Sequence, residues 1–565
     1  MVKLEDLGEV ISTDVLIVGG GVGGLATAIK VKKENPKIDV LIVEKQTTGW
    51  AGKATKIGGI LAFLGPKDNA DKFLDFQIRT SGFYLNDQGL LAKYVHSSYQ
   101  AIEQFAEWGA KLARTPDGKL VINPAFWAPE WSTTFIDIDM MLPMRGRARK
   151  MGAKILNKIH VVDLIKQGNR VLGAAGFDII SGRFHIFKAK ATVLANGSCG
   201  YKVRRFWSAG TGDGIAAAYR AGAEMRNAEY GNLYGHTVFQ ETDSGMVGSA
   251  FLVNAQGENL SEKYLPDTGP AGVFLPVKLA VGLEKEVAEG RGPIYFAPPE
   301  SAPPHGMQTG LPKLGEWQQR IEAKERKYGL SPDVKHEIGV PLHGETSCIK
   351  VDHEMNTSLE GLWAIGDTSY AGSAVAGAVA SPPGVTPGSG IMYAVISARW
   401  AAPSAASYAS GATSPRIDGI EAEALKEKIF SPLQNRDVFS PGEAVSVLQD
   451  VTAPMKYNLR RSKERLEEAL TRLDGLKDKL PALQAKDLHY LSKCHEIESM
   501  ALCAELTFKA ALMRTESRGF HFREDFPERD DKNWLKWIIL KQDKGEMKLS
   551  TRTIPINKYK IKPID

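Results

Sequence analysis

Cysteine is scarce in this chain, and none of it is clustered. The 565 residues include four cysteines, Cys199, Cys348, Cys494 and Cys503, and no two of them form a Cys-x-x-Cys pair. That spacing lacks the usual cysteine motifs of an iron–sulfur cluster or a zinc site, and we predict no metal site. A chain of this length buries enough apolar surface to fold without disulfides. We therefore expect free, mostly buried thiols in a reducing compartment.

The chain also lacks a strong charge imbalance and long hydrophobic runs. Its formal net charge is +5 and its charged fraction is 24%, values typical of a globular protein with no nucleic-acid partner. No run of about 18 uninterrupted apolar residues occurs, so we expect no integral membrane segment. The opening segment 1–13 contains acidic residues and no apolar core, unlike a secretory signal, and we expect a cytoplasmic protein.

A strand–helix–strand unit is the first strong pattern in the sequence. Residues 15–18 form an apolar run that suits a strand buried on both faces, and residues 40–43 form a second run that ends at Glu44. Glycines and a helix rich in alanine, leucine and isoleucine separate the two runs. We predict two parallel strands joined by a right-handed helical crossover.

The glycines of this unit have a nucleotide-binding spacing. Gly19, Gly21 and Gly24 spell Gly-x-Gly-x-x-Gly, and Glu44 follows Gly24 by 20 residues. One glycine makes the tight turn, another lets a pyrophosphate approach the backbone, and another lets the helix pack closely on the strand. The helix N-terminus attracts the phosphates, and the carboxylate accepts hydrogen bonds from a ribose. We therefore predict a dinucleotide site here.

Two further elements favour FAD over NAD as the dinucleotide. The apolar run 362–365 ends in Gly366 and Asp367, a pattern that FAD enzymes use to hold the ribityl and phosphate end of the cofactor. The run 193–198 contains a similar glycine turn at Gly197. A second full Gly-x-Gly-x-x-Gly with its acid is absent from the sequence, so no NAD site is predicted.

Composition divides the rest of the chain. The basic segment 143–158 is predicted to be helical, and residues 171–198 are predicted to form a hairpin, turning at residues 181–182, and a further strand. Proline and glycine become frequent over 231–342, which indicates an inserted domain. The stretch 402–415 is rich in proline, alanine and serine and is predicted to be a linker.

The C-terminal third is predicted to be helical, with apolar residues at helical spacing over 418–515 and a basic tail at 550–565. We therefore predict an α/β fold: a Rossmann-like FAD-binding domain with an inserted α+β capping domain and a C-terminal helical domain. The predicted boundaries are 1–230 and 343–405 for the FAD-binding domain, 231–342 for the capping domain, 406–535 for the helical domain and 536–565 for the tail.

The C-terminal region carries the most specific motif. Residues 516–523 read ESRGFHFR, residues 525–531 read DFPERDD, and residues 534–536 read WLK. With GGILAF at 58–63 and TGDGIAAAYRAGA at 211–223, this resembles the succinate dehydrogenase/fumarate reductase flavoprotein superfamily over nearly the whole chain. Within that superfamily the insert, which reads EYGNLYGHTV at 229–238 and GRGPIYF at 290–296, resembles the adenylylsulfate reductase alpha subunit more than the dehydrogenases. We interpret the C-terminal motif as an ion-paired helix end and loop that pack against the flavin domain.

The motifs and the resemblance together imply a set of FAD-binding residues. The set is Gly19, Gly21, Val22, Gly23, Gly24, Glu44, Lys45, Lys53, Ala54, Thr55, Gly58, Gly59, Val161, Ala195, Asn196, Gly197, Asp213, Gly366, Asp367, Ser389, Gly390 and Ile391. Gly388, Ser389 and Gly390 open a predicted helix whose N-terminus would stabilise an anionic reduced flavin. Some members bind FAD covalently through a histidine, but Gly52 stands at that position, so we expect non-covalent FAD.

The sequence departs from the superfamily where its members bind C4 dicarboxylates. Those members use a histidine and two arginines, because each carboxylate pairs with a guanidinium fork. Here His343 resembles the family histidine, but the glycines that should follow it are replaced. No arginine occurs in the segments 371–392 and 275–287, where the family arginines are expected. A succinate or fumarate activity is therefore not predicted.

Candidate catalytic residues should lie where the flavin ring faces the inserted domain. A proton must move together with the electrons, and histidine titrates near neutral pH. The candidates are His343, His236, Tyr234, Tyr370 and Arg205. Arg205, with Arg204 and Trp207, lies between two cofactor elements and would suit an anionic or aromatic substrate.

Three hypotheses follow for the function. The leading one is an FAD-dependent reductase or dehydrogenase that acts on a small molecule other than succinate or fumarate and exchanges electrons with an iron–sulfur, ferredoxin-like partner. A second is an enzyme like adenylylsulfate reductase. A third is an electron-relay subunit that carries FAD while a partner holds the substrate. The basic C-terminal region would suit an acidic partner, or it is simply a solvated tail.

Overall fold

The structure, a computed structural model, describes most of the chain. The described residues are 2–55, 59–125, 128–203, 210–231, 237–238, 251–266, 277–297, 309–327, 336–340, 342, 344–370, 388–436 and 439–563.

A parallel sheet forms the centre of the described fold. Its five parallel strands are, in spatial order, Lys154–Asn157, Val40–Glu44, Glu9–Val18, Phe184–Leu194 and Leu362–Ala364. Antiparallel strands Arg170–Asp178 and Ile159–Gln167 extend the sheet from the first half of Phe184–Leu194. Val15, Leu16 and Ile17 are fully buried, as their continuous apolar run predicts. The predicted parallel strand–helix–strand unit and the predicted hairpin are both confirmed.

Helices cover this sheet, and a small sheet lies beside it. Helix Val22–Glu34 packs against helix Ser389–Gly411, which also contacts the two central strands. The other helices of this part are Leu4–Leu7, Ala70–Phe76, Gln88–Glu107, Met141–Lys150 and Asp213–Arg220. The small antiparallel sheet contains Ile60–Phe63, Ser132–Phe135 and Asn123–Pro124.

The predicted capping region combines short strands with helices, as an α+β domain should. Its described strands Thr237–Val238, His336–Gly339, Tyr295–Phe296 and Leu252–Val253 form an antiparallel sheet. Its described helices are Leu260–Tyr264, Val277–Ala288 and Pro312–Lys327.

The C-terminal part is mainly helical, as predicted. Its helices are Gly419–Phe430, Pro441–Thr452, Met455–Asn458, Lys463–Lys477, Leu488–Met513 and Asp531–Trp534. The chain then forms an antiparallel pair of strands, Lys536–Asp543 and Glu546–Thr553, which we call the C-terminal hairpin. Its first strand pairs with Met225–Arg226 of the flavin domain.

The predicted helix at 143–158 and the predicted C-terminal tail differ from the structure. The helix ends at Lys150, because Gly152 adopts a left-handed conformation with φ of 90°, and Lys154–Asn157 is a strand. The segment 536–565, predicted as a tail, contains the C-terminal hairpin. Its apolar run 537–540 is buried against the flavin domain, although basic residues surround it in sequence.

The predicted linker at 402–415 is also wrong. Helix Ser389–Gly411 continues through it, with Pro403 inside the helix. Ala401, Ala402, Ala405 and Ala406 are buried there, so a face of small side chains keeps packing past the proline. The predicted domain boundary at 405/406 therefore falls within one helix, and the division into domains stays a prediction.

All four cysteines are free and buried, which confirms that prediction. Among the described residues, the helices lack a stretch that is long and apolar enough to cross a membrane.

A buried ion network holds the C-terminal motif against the flavin domain. Arg514 Nε donates to Glu229 Oε1 at 2.9 Å, and its Nη1 donates to Glu516 Oε1 at 2.8 Å. Arg518 donates to both oxygens of Glu516, each at 2.7 Å, and reaches the carbonyl of Phe83 at 2.7 Å. These four charged side chains are completely buried. The interpretation of the motif as an ion-paired helix end is confirmed.

We predict that Arg514→Met destabilises the protein by about 3–5 kcal/mol, because it leaves the buried carboxylates of Glu229 and Glu516 short of a cation. Urea unfolding in the presence of saturating FAD measures the change. Arg529→Met is the matched control, since Arg529 is 40% exposed and its ion pair with Asp531 spans 3.1 Å. It should cost less than about 1 kcal/mol. Equal effects of the two substitutions would show that the buried network does not carry the stability assigned to it.

Candidate functional site

The predicted cofactor elements meet at one edge of the parallel sheet. The strands Glu9–Val18, Val40–Glu44, Phe184–Leu194 and Leu362–Ala364 all end there, because parallel strands point the same way. Backbone hydrogen bonds tie their ends together: Gly19 N donates to Val43 O at 2.8 Å, Ala195 N to Val18 O at 2.8 Å, and Ile365 N to Leu194 O at 3.0 Å. Ligands of open α/β sheets bind at this carboxyl edge.

The glycine turn brings helix Val22–Glu34 close to the first strand. A Cβ atom on Gly24 would lie 1.9 Å from the carbonyl oxygen of Gly19, so only glycine permits this packing. Gly21 is the N-cap of the helix, and a Cβ atom there would have no neighbour within 4 Å. The helix N-terminus therefore faces open space, where phosphate oxygens can reach its backbone N–H groups.

Glu44 is fixed beside this turn. Its Oε2 accepts from Gly20 N at 2.6 Å and its Oε1 accepts from Gln46 N at 2.7 Å. The carboxylate is thereby held at the end of its strand, as a ribose-binding residue should be.

A partly buried group of charges, which we call the carboxylate cluster, lies at the same edge. Lys53 Nζ donates to Asp367 Oδ2 at 2.8 Å and to Glu345 Oε2. Ser198 Oγ also donates to Glu345 Oε2, at 2.6 Å. Two carboxylates therefore share one ammonium, and the cluster has one negative charge in excess. Glu345 Oε1 and Asp367 Oδ1 are buried and have no hydrogen-bond partner among the described residues.

These features fit the expected dinucleotide. Buried acceptors without partners are rare in proteins and indicate groups that a ligand or water satisfies. Glu345 Oε1 and Asp367 Oδ1 suit the hydroxyl donors of a ribityl chain, and Asn196 Oδ1 is a third such acceptor. A Cβ atom on Gly197 would also have no neighbour within 4 Å, so the backbone is open at this turn. The residues present can hold FAD.

The helix predicted to face the flavin begins where expected. Gly388 is its N-cap, with a left-handed φ of 83°, and Ser389 is the first helical residue. A Cβ atom on Gly388 would lie 2.9 Å from Ala62 N, so this turn packs on the strand Ile60–Phe63. Because the helix is 23 residues long, its N-terminal N–H groups supply a strong local dipole.

Lys45 and Asp213, predicted to bind the cofactor, are engaged with each other. Lys45 Nζ donates to Asp213 Oδ2 at 2.6 Å and to Glu496 Oε1 at 2.7 Å. Lys202 donates to the other oxygen of Glu496. Although burial opposes its charged form, the two carboxylates raise the pKa of Lys45. The group, which we call the Lys45 cluster, therefore ties the residue after Glu44 to helix Leu488–Met513.

His160 borders the Lys45 cluster and remains neutral. Its Nδ1 lies 2.9 Å from Ser492 Oγ, and its Nε2 lies 3.7 Å from Asp213 Oδ2. Burial, opposed by Asp213, lowers the pKa of His160 to about 3.

The remaining predicted site residues are placed as follows. Val161 is buried in the strand Ile159–Gln167, and Lys53, Ala54 and Thr55 form a single helical turn. Gly59 packs closely on the backbone of Ile136. Tyr370 is buried, and its ring lies 4.1 Å from the Arg226 guanidinium carbon. Four candidate catalytic residues, His343, His236, Tyr234 and Arg205, lie outside the described residues, as do Gly58, Arg204 and Trp207.

No sequence pattern assigns a role to Glu345, Ser198 or Arg226. Glu345 is two residues after His343, within the stretch that departs from the superfamily pattern, and that departure was the available signal. Arg226 follows an alanine-rich helix and gives no local signal. The catalytic and cofactor-binding assignments themselves stay predictions.

Two family models match the chain. The model for the FAD binding domain matches residues 14–381, and the model for the fumarate reductase flavoprotein C-terminal region matches residues 449–565.

Individual relatives match along nearly the whole length. An uncharacterized FAD-dependent oxidoreductase of Methanocaldococcus jannaschii is 27% identical, covering 94% of this chain and 97% of the relative. One subunit of the fumarate reductase (CoM/CoB) of Methanothermobacter marburgensis is 26% identical, with 94% and 97% covered. The solved adenylylsulfate reductase of Archaeoglobus fulgidus has the same fold, with a TM-score of 0.78 at 22% identity and 98% of both chains covered.

We predict that Gly21→Ala leaves the apoprotein folded and weakens FAD binding by about 10–100-fold, because the added methyl group fills space that the pyrophosphate needs. Gly24→Ala should instead destabilise the apoprotein, since its Cβ atom would collide with Gly19. Quenching of flavin fluorescence measures affinity, and the thermal midpoint of the apoprotein measures folding.

Gly475→Ala is the control for the glycine substitutions. Gly475 lies in helix Lys463–Lys477, and a Cβ atom there would have no neighbour within 4 Å. This change should add up to about 1 kcal/mol of stability and leave FAD affinity unchanged. Unaltered FAD binding by Gly21→Ala would contradict the placement of the pyrophosphate.

We predict a pH-dependent stability from His160. Between about pH 6.5 and pH 3 the unfolded chain binds a proton that the folded protein excludes, so stability falls as the pH falls through this window. His160→Asn should reduce the slope of stability against pH by about 1.4 kcal/mol per pH unit between pH 5.5 and 4. Urea unfolding across that range measures the slope. His96→Asn, at an exposed position, is the control, and an unchanged slope in His160→Asn would refute the assignment.

Proposed function

The chain belongs to the family of proteins with this FAD binding domain and is an FAD-dependent oxidoreductase of the fumarate reductase flavoprotein type. From this premise we propose that it acts on a small molecule other than succinate or fumarate and exchanges electrons with an iron–sulfur partner. The main observation behind the proposal is that the glycine turn, Glu44 and the carboxylate cluster lie together at one edge of the sheet.

The proposed substrate preference rests on the missing arginines. A C4 dicarboxylate needs two cationic anchors, and no arginine occurs in the segments 371–392 and 275–287. The carboxylate cluster adds an excess negative charge, which repels a dianionic substrate. A substrate with fewer negative charges than succinate suits these charges better.

Two observations support the proposed electron partner: this chain has no cysteine motif for an iron–sulfur cluster, and one of its relatives is a subunit of a larger enzyme. The cysteine spacing provides no cluster motif, so electrons must enter or leave through another carrier. The fumarate reductase relative is named as one subunit of an enzyme, in agreement with a partner. The C-terminal hairpin exposes Lys541, Lys544, Lys548 and Arg552, cations that would attract an acidic ferredoxin-like protein.

The protein's own residues would bind and orient the cofactor without a covalent bond. The N-terminus of helix Val22–Glu34 would hold the diphosphate, Glu44 a ribose, and Asp367 the ribityl hydroxyls. The bound flavin supplies hydride or single-electron chemistry. His343 remains the candidate for moving the accompanying proton, and the N-terminus of helix Ser389–Gly411 would stabilise negative charge that develops beside it.

A second candidate function is an adenylylsulfate-reductase-like activity, which the motifs at 229–238 and 290–296 of the insert support. A third is an electron relay in a larger complex, with the substrate bound by a partner.

Visible spectroscopy of the purified chain, under anaerobic conditions, tests the proposal. We expect a flavin spectrum that is lost from the protein on denaturation, because the FAD is not covalently attached. One compound of a panel of non-dicarboxylate substrates should bleach the oxidised flavin or reoxidise the dithionite-reduced flavin. A reduced ferredoxin should also reduce the flavin.

The other outcomes separate the alternatives. Rapid bleaching by succinate, or reoxidation by fumarate, would refute the proposed substrate preference. Ferricyanide reduction that requires both AMP and sulfite would favour the adenylylsulfate-reductase-like activity. A flavin that responds to ferredoxin but to no compound of the panel would favour the relay.

A further inference from the structure

Arg226 is a buried cation whose charge is not matched by an adjacent acid. It is 3% exposed and lies in the short strand Met225–Arg226, which pairs with the C-terminal hairpin. Among the described residues it makes no ion pair within 4 Å. Its Nε and Nη2 have no hydrogen-bond partner in the same part of the chain. Burying a charged group without partners is costly, so this arrangement indicates a bound group.

Aromatic rings enclose the Arg226 guanidinium. Its Cζ lies 3.5 Å from the ring centre of Trp537 and 4.1 Å from that of Tyr370. Trp537 is held in place because its Nε1 donates to Leu85 O at 2.8 Å. These rings stabilise the cation but provide no acceptor in its plane, so they leave its N–H groups unsatisfied.

The nearby acid is engaged elsewhere. Burial lowers the pKa of the Arg226 guanidinium, and the nearby Asp87 is among the groups that oppose this shift. However, Asp87 Oδ1 accepts from Leu90 N at 3.1 Å, and its Oδ2 lies 3.1 Å from His353 Nε2. Asp87 therefore caps helix Gln88–Glu107 and does not form an ion pair with Arg226.

The free donors of Arg226 have the geometry of a fork. Nε and Nη2 are adjacent on one edge of the guanidinium, and two parallel N–H groups on such an edge match the two oxygens of a carboxylate. Tyr370 Oη is a further buried polar atom without a partner among the described residues. Burial raises the pKa of Tyr370, so its hydroxyl stays protonated and can donate.

We infer that Arg226 is the anchor of a binding site for a small organic monocarboxylate, flanked by Tyr370 and Trp537. One guanidinium balances one negative charge, and the aromatic rings provide an apolar surface for the rest of the molecule. In the sequence, Tyr370 follows Asp367 of the carboxylate cluster by three residues. The inference does not depend on the proposed reaction, because it concerns binding alone.

Binding of benzoate and acetate to the FAD-loaded protein tests the inference. We expect a saturable rise of the thermal midpoint with each carboxylate at constant ionic strength. Arg226→Met should weaken the apparent affinity at least about tenfold, since the single charged anchor is lost. Arg226→Lys should also weaken it, because lysine keeps the charge but lacks the fork.

Arg183→Met is the matched control. Arg183 immediately precedes the strand Phe184–Leu194, and its side chain is 63% exposed. It should bind benzoate within about twofold of the unchanged protein, a factor small beside the tenfold that one lost anchor predicts.

A second measurement covers the case in which Arg226→Met does not fold. Equilibrium dialysis with labelled benzoate then compares the unchanged protein with Arg226→Lys, which keeps the buried charge. The unchanged protein should bind about one benzoate per chain, and Arg226→Lys should bind it at least about tenfold more weakly. Equal stabilisation by chloride, sulfate and benzoate, or unchanged benzoate affinity in a folded Arg226→Met protein, would overturn the inference.

Discussion

The close contact between helix Val22–Glu34 and the strand Glu9–Val18 is the constraint on which the site depends. It exists because Gly24 has no side chain, and it brings the helix N-terminus to the sheet edge where the other strands end. Glu44, Gly197 and Asp367 reach the same edge because their strands are parallel to the first. The predicted cofactor site therefore depends on the parallel direction of the strands as much as on any single motif.

Buried charge is distributed unevenly over the molecule. In the network of Glu229, Arg514, Glu516 and Arg518 the charges balance, so this part of the fold can lie far from water. The carboxylate cluster has an excess negative charge, and Arg226 has an excess positive charge. The carboxylate cluster lies at the sheet edge predicted to bind the flavin, and Arg226 lies beside the C-terminal hairpin. An unbalanced buried charge destabilises the folded protein unless a bound group of opposite charge, or one that hydrogen-bonds to it, lies beside it.

Local patterns predicted much of the fold. The strands at 15–18 and 40–43 were predictable because a strand buried on both faces must be apolar throughout, and the glycine turn was predictable because its three roles each require glycine. The helix through 402–411 was not, since buried alanines outweigh the tendency of Pro403 to end a helix. The hairpin at 536–553 was missed because its buried apolar run is short and flanked by lysines.

The candidate site was predictable only in its local parts. Lys53 and Glu345 are 292 positions apart, and no pattern within either segment indicates that they meet. Lys45 and Asp213 were predicted from motifs that lie close to a cofactor, but their partner Glu496 comes from a helix near the end of the chain. Such contacts depend on how distant elements pack, which short-range patterns do not record.

The pairing of the C-terminal hairpin with Met225–Arg226 has a consequence for biosynthesis. Because synthesis runs from the N-terminus, the strand that completes this edge emerges from the ribosome only after about three hundred further residues. Until then the nascent flavin domain presents an open strand edge and an unshielded guanidinium. A prematurely terminated chain keeps that edge permanently, so quality control by chaperones or proteases can distinguish unfinished from finished molecules there.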